Sequence, residues 1–192
     1  MRRSNARCGD QSACCCGACF VGRPLWKKKL RMGSLEINID RLWNDIETLA
    51  TFSAGDEGVN RLTFSAEDRA ARAYLRAQMV SARFEVVEIP PGIMLGRLNP
   101  LSRSGPAVMS GSHIDAVPAA GRFDGIVGVV GALGVGRVLA EQRVALKHPY
   151  AVVIYPEEEG TRFGAVFTGS KAWVGELSPQ QLAAMHDRAG TS

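Results

Sequence analysis

The sequence predicts an α/β fold in which helices and strands alternate along one chain. Three observations carry this. Short β-rich runs are separated by segments with helical periodicity. The run 125–139 is almost wholly apolar and too long for a strand, so it reads as a buried helix. Tyr150–Tyr155 is short and continuously apolar, as expected of a strand covered on both faces. With 192 residues, 46% apolar and 22% charged, the chain can bury one core and is excluded from the disordered class. No apolar run approaches the ~20 residues of a membrane span.

Composition divides the chain near Met32. Residues 1–31 hold eight basic side chains against the single acid Asp10, and all five cysteines; the other 161 residues carry a net −3 and no cysteine. Cys16-Gly-Ala-Cys19 has zinc-ligand spacing, but no second ligand pair follows roughly 12–20 residues on. The stretch 13–21 is too short and cysteine-rich for a secretory signal, and the leader has only Phe20 and Trp26 as aromatics for stacking on nucleic acid. It is read as a disordered, dispensable extension, with a metal knuckle and a mitochondrial-type presequence as alternatives. Residues 32–192 form the body.

In that body, Ile39, Leu42, Trp43, Ile46, Leu49 and Ala50 recur at helical spacing and predict an amphipathic helix over 39–52. Ser65-Ala-Glu-Asp68 resembles a capping box and opens a second helix that turns Tyr74, Leu75 and Met79 inward. Phe84–Ile89 is a strand stopped by Pro90-Pro91-Gly92. Ile93–Leu98 and 107–112 are further strands, with a turn at Ser102-Arg-Ser-Gly105. Ser178-Pro179 starts a last helix, serine as cap and proline in the first turn.

Two strand ends concentrate the polar chemistry. The run 107–112 delivers His113-Ile-Asp115 and, after a short loop, Gly121-Arg-Phe-Asp124-Gly125; Tyr150–Tyr155 delivers Glu157-Glu158-Glu159-Gly160. Ligands of open α/β sheets gather at the carboxyl ends of strands. A histidine, an aspartate and a glutamate converging there suit a hard or borderline metal ion. Each element also has a plainer reading: His-x-Asp as a hydrogen-bonded pair, Asp124 as a cap on the apolar helix, and the glutamates as a solvated charge run. Three like charges at the end of a buried strand repel one another, which favours a compensating cation there.

Gly111-Ser-His-Ile-Asp-Ala-Val-Pro118, Gly121-Arg-Phe-Asp-Gly125 with Gly128-Val-Val-Gly131, and Glu157-Glu-Glu-Gly-Thr-Arg-Phe163 resemble the motifs of one metallohydrolase group. It comprises N-carbamoyl-L-amino-acid hydrolase, β-ureidopropionase and allantoate amidohydrolase, within the superfamily of aminoacylases and dinuclear zinc carboxypeptidases. Gly58-Val-Asn-Arg-Leu62 and Gly169-Ser-Lys-Ala172 are similar to its flanking motifs, so the resemblance runs over about 42–182. The eleven-position step from His113 to Asp124 favours this group over the dipeptidase branch, whose loop is longer.

The resemblance implies a three-layer αβα catalytic domain and two divalent metal ions, zinc, manganese, nickel or cobalt. It implies His113 and Glu159 as ligands of different metals, Asp124 as the carboxylate bridging both, Glu158 as the general base, and Asp115 as the carboxylate that orients the imidazole. Two metals ~3.5–4 Å apart bring the pKa of a shared water toward ~7, and a neighbouring carboxylate moves its proton to the leaving nitrogen. The expected reaction is hydrolysis of a non-peptide C–N bond in a small ureido or carbamoyl substrate. The expected location is cytoplasmic, with no nucleic-acid or membrane partner.

The chain departs from the group's pattern at Ala116, where threonine is usual, at Ala120, in place of a glycine, and at Gly134 and Gly136 inside the apolar helix. The group also has a histidine ligand well beyond its Glu-Glu-Gly motif, an inserted lid and dimerisation domain that makes it a homodimer, and a final histidine. His148 and His186 do not fit those places, and Ser192 precedes them. The expectation is therefore the front part of the catalytic domain, incomplete at its C-terminus and lacking the lid. Its rivals are a catalytically silent interaction partner and a dipeptidase or aminoacylase of the same superfamily. A chain beginning at Met32 is expected to unfold at the same urea concentration as the full chain; a loss of several kcal/mol would make the leader part of the fold.

Overall fold

A computed structural model of the protein describes residues 35–98 and 106–192. The cysteine-rich leader and the turn at Ser102-Arg-Ser-Gly105 lie outside the described residues. Among those described, the elements run α1 (Ile39–Thr51), α2 (Ala66–Ser81), β1 (Phe84–Ile89), β2 (Ile93–Leu98), β3 (Val108–His113), α3 (Ile126–Glu141), β4 (Tyr150–Tyr155), α4 (Thr168–Trp173) and α5 (Pro179–Ala183). No helix among them is long and apolar enough to cross a membrane.

The strands form one mixed sheet in the order β1-β2-β4-β3. β2 is antiparallel to both β1 and β4, whereas β3 and β4 are parallel. A parallel pair needs a crossover, and α3 supplies it while packing on both strands. The parallel register sets His113 opposite Tyr155, so the two chemistry-bearing loops leave the sheet side by side.

One face of the sheet builds the core. Phe84, Met94, Leu98, Tyr150, Val152 and Ile154 meet Ile46 and Leu49 of α1, Leu75 and Met79 of α2, and Val129, Val130 and Leu133 of α3. Tyr155 alternates with Ile154 and so turns to the opposite face, where its ring meets Trp173 of α4 edge-on at 6.4 Å. Helices on both faces of a mixed sheet agree with the α/β class.

Local signals explain most boundaries. Ser65 Oγ caps α2 by accepting from Asp68 N at 3.2 Å, but the Asp68 carboxylate reaches back to Phe64 N at 2.9 Å rather than to Ser65. Ser178 and Gln181 complete a capping box on α5. β3 ends one residue later than expected, which makes His113 its last residue. α4 had no clear sequence signal.

Three details differ from the sequence reading. On α1, Ile39 and Trp43 are exposed while Asp45 is buried. Arg137 of α3 causes this: its guanidinium pairs with Asp45 and donates to Gln78 Oε1 at 2.6 Å, and Tyr74 OH donates to Asp45 at 2.7 Å. α3 is not buried all round, for Val127 and Val135 leave half or nearly half their surface exposed on one stripe. Gly136, a residue that costs ~1 kcal/mol in a helix, is explained by packing: a Cβ there would overlap the Phe84 ring.

The Asp45–Arg137 pair therefore joins three helices. Arg137→Met is expected to leave Asp45 buried without its cation and to cost about 3–5 kcal/mol, read as a lower urea midpoint with secondary structure retained before the transition.

Candidate functional site

His113 closes β3 with its side chain 7% exposed. Its Nδ1 lies 3.0 Å from the Asp115 backbone carbonyl and 3.6 Å from Asp115 Oδ1, two oxygens that require a proton on that nitrogen. Nε2 is thereby aimed the other way, 3.9 Å from Asp124 Oδ1 and 3.7 Å from Glu158 Oε2. Gly125 makes room for this. Its φ is +64°, and a Cβ there would stand 2.7 Å from His113 Nε2, so a side chain would collide with the imidazole.

Glu158 and Glu159 come from the loop after β4. His113, Glu158 and Glu159 each offer one donor atom within 4.8 Å of the others. Asp124 stands at the rim of this group, its side chain 67% exposed. It does not cap α3, which has no side-chain cap; only its backbone carbonyl accepts from Ile126 N, at 2.6 Å. Asp115 is buried and accepts from Glu159 N at 3.1 Å, so it links the two strand ends as well as backing the imidazole. The five residues singled out from the sequence thus come together. His148 and His186 do not join them: both are exposed, and His186 Nδ1 faces the Ala184 carbonyl at 2.9 Å.

Glu157 was missed. It is 2% exposed, with a left-handed φ of +52°, and its carboxylate accepts from Arg162 N at 3.0 Å and Phe163 N at 2.7 Å. The first glutamate of the run is an anchor for the turn that presents the other two. Its only sequence signal is the Gly160-Thr161-Arg162 turn that folds back onto it.

The electrostatics follow from this crowding. Burial by itself would lower the His113 pKa, but the Asp115 carboxylate and carbonyl and the charge of Glu158 outweigh it and push the value up to about 9. Burial, then Asp124 and Glu158, push the Glu159 carboxyl above its usual range. Protons accordingly do part of the work of a cation here. An imidazole nitrogen with carboxylate oxygens is a hard-to-borderline donor set, and the buried Asp115 Oδ1 has no hydrogen-bond partner other than the imidazole side it faces. These residues fit a divalent metal ion. A cavity of about 430 Å³ opens onto His113, Asp124 and Glu158 between Ser112, Tyr155, Phe167 and Ser170. A larger cleft of about 600 Å³, beside Arg69, Arg162 and Arg188, holds none of these donors.

The profile of peptidase family M20/M25/M40 matches residues 109–192, from β3 through both carboxylate loops to the last residue. This stretch of the chain, which carries all the candidate donors, is similar to that family. It is similar to an N-carbamoyl-L-amino-acid amidohydrolase of Paenarthrobacter aurescens, 38% identical over 80% of this chain and 37% of the relative. It is also similar to a ureidoglycolate hydrolase of Arabidopsis thaliana, 36% identical over 74% of this chain and 30% of the relative. Among solved structures, a hydantoinase/carbamoylase-family amidase of Burkholderia multivorans superposes with a TM-score of 0.80 at 32% identity, covering 83% of this chain and 39% of that one. The chain thus spans well under half the length of each of these three proteins.

In the metal-free protein the His113 ring is expected to titrate near 9, and Asp115→Asn to bring it down toward the ordinary ~6.5. Because the folded-state value is the higher one, the stability tied to this proton is complete below ~6.5 and is lost as pH rises through about 9. Ring-proton chemical shifts against pH measure the first, and urea midpoints against pH the second.

Proposed function

We propose that this chain forms the metal-binding part of an amidohydrolase that cleaves a non-peptide C–N bond in N-carbamoyl amino acids or allantoate-like ureido compounds. One observation carries it: at the carboxyl ends of β3 and β4, His113, Asp124 and Glu158 line one cavity, and Glu159 brings a donor atom within 4.8 Å of those of His113 and Glu158. The names of the similar proteins support the substrate class.

In this proposal His113 and Glu159 would each help to hold a divalent ion, zinc, manganese, nickel or cobalt, and Asp124 would serve both. Ions so bound would polarise the scissile carbonyl and bring the pKa of an attacking water toward ~7. The rest belongs to the chain. Asp115 keeps the proton on His113 Nδ1 and leaves Nε2 as the donor. Glu158, 31% exposed and open to the cavity, takes the proton of the attacking water and passes it to the leaving nitrogen. Asp115 and Glu157 hold the backbone of the loop that carries this base.

Among the described residues this arrangement gives each ion two protein ligands, counting the bridge twice, where catalytic zinc uses three. Loosely held metals misplace the reacting atoms, and ~1 Å of misplacement costs ~100-fold in rate. The 192-residue chain alone is therefore expected to release negligible ammonia from N-carbamoyl amino acids or allantoate with added zinc, manganese or nickel. Exchanged for the matching segment of the Paenarthrobacter aurescens relative, residues 42–182 should support hydrolysis, and Glu158→Gln in that chimera should lower kcat by about 10²–10⁴-fold. A folded chimera inactive on every such substrate would sink the proposed function. Robust turnover by the chain alone would sink the ligand count.

A further inference from the structure

The segment 59–63, which belongs to no helix, crosses beneath all the loops that carry the candidate donors. Val59 exchanges two backbone bonds with Ala120, at 2.9 and 3.0 Å, just upstream of Asp124. Asn60 Oδ1 accepts from Ala119 N at 2.8 Å, while its Nδ2 donates to Glu57 O at 2.7 Å, which settles the amide's orientation. Arg61 Nε donates to Ile114 O at 2.6 Å, and Arg61 O accepts from Ala116 N at 2.9 Å, on the two sides of Asp115. Thr63 Oγ1 accepts from Glu157 N at 3.1 Å, next to Glu158.

We infer that this segment is a positioning strap for the metal-binding loops, with Asn60 setting the Asp124 loop and Thr63 setting the Glu158–Glu159 loop. The inference rests on the metal-binding role proposed above. The physical need is specific: Asp124, Glu158 and Glu159 repel one another, and none of the described bonds to their own carboxylates comes from a lysine or arginine. Their separation has to be held through the backbone. Neither Asn60 nor Thr63 touches a donor atom, so each acts through the loop it grips. Thr63 is 1% exposed, which makes its bond to Glu157 N inaccessible to substitution by water.

The test uses the full 192-residue chain and manganese or cobalt ions alone. Calorimetric titration is expected to show Asn60→Ala and Thr63→Val each binding the cation about 10–100-fold more weakly than the unaltered chain, the range typical of lost outer partners of metal ligands. Thr63→Ser keeps the oxygen and should restore affinity and the visible absorption of bound cobalt. Tyr74→Phe, which removes a bond to Asp45 away from these loops, should lower the melting temperature and leave cation affinity unchanged. Equal affinity in Asn60→Ala, Thr63→Val and the unaltered chain would overturn the strap. Should Thr63→Val fail to fold, Asn60→Ala and Thr63→Ser still decide the matter. If the unaltered chain binds no cation, the metal-binding role itself fails. Amide hydrogen exchange then judges the strap separately: it stands if the loops 114–120 and 157–160 exchange faster in Asn60→Ala than in Tyr74→Phe, and falls if they do not.

Discussion

Three carboxylates are held beside one imidazole at the edge of a sheet, and the surrounding structure depends on overcoming their repulsion. Like charges ~4 Å apart repel by ~4 kcal/mol at the effective dielectric of a protein surface. The parallel pairing of β3 with β4 makes the crowding unavoidable, because it starts both loops from adjacent residues, His113 and Tyr155. Asp115 then serves both sides, facing the imidazole with one oxygen and receiving the Glu159 amide with the other. The His113 proton, held up to about pH 9, relieves part of this crowding, the same crowding raises the Glu159 pKa, and a divalent cation would displace the imidazole proton on binding.

Two buried arginines fix the platform. Arg137 enters between the helices and pairs with Asp45 near the middle of α1. Arg61, 1% exposed, takes the far end: Nη1 donates to the Leu49 and Phe52 carbonyls at 2.7 and 2.9 Å. α1 has no basic residue in its own last turn, so Arg61 supplies from another segment the cation that a helix C-terminus favours. Burial pulls its pKa down, although Asp68 and Asp115 oppose this. Through Nε the same guanidinium holds Ile114, which ties the end of α1 to the loop that follows His113.

Similarity to the M20/M25/M40 family over residues 109–192 and likeness to carbamoylase-type amidases agree with this chemistry at two levels. The motif loops match, and so does the scaffold that spaces them, since the structural likeness extends over most of the chain rather than over the loops alone. The scaffold contributes the parallel strand pair and its crossover helix. The loops contribute the donors. The fold alone would not specify a reaction; the donor set at the mouth of one cavity is what supports the metal-assisted hydrolysis proposed above.

The sequence by itself determined every described element but α4 and marked the candidate donors that the fold brings together, because both are written locally. Helical periodicity placed α1 and α2, serine caps opened α2 and α5, and unbroken apolar runs marked α3 and β4. His113, Asp115, Asp124, Glu158 and Glu159 were legible because each stands within a few residues of a strand or helix end. Tertiary structure decided what depends on residues far apart in the chain. It buried Asp45 and exposed Trp43, since Arg137 lies 92 positions away from Asp45. It turned Glu157 inward and Glu158 outward, although the two are neighbours of identical chemistry, because Thr63, 94 positions from Glu157, grips one amide. It freed Asp124 from capping α3 by giving that helix start a left-handed glycine against the imidazole. Periodicity and capping are properties of a few consecutive residues; which carboxylate is buried, paired or left facing a cavity is set by the groups that long-range packing brings against it.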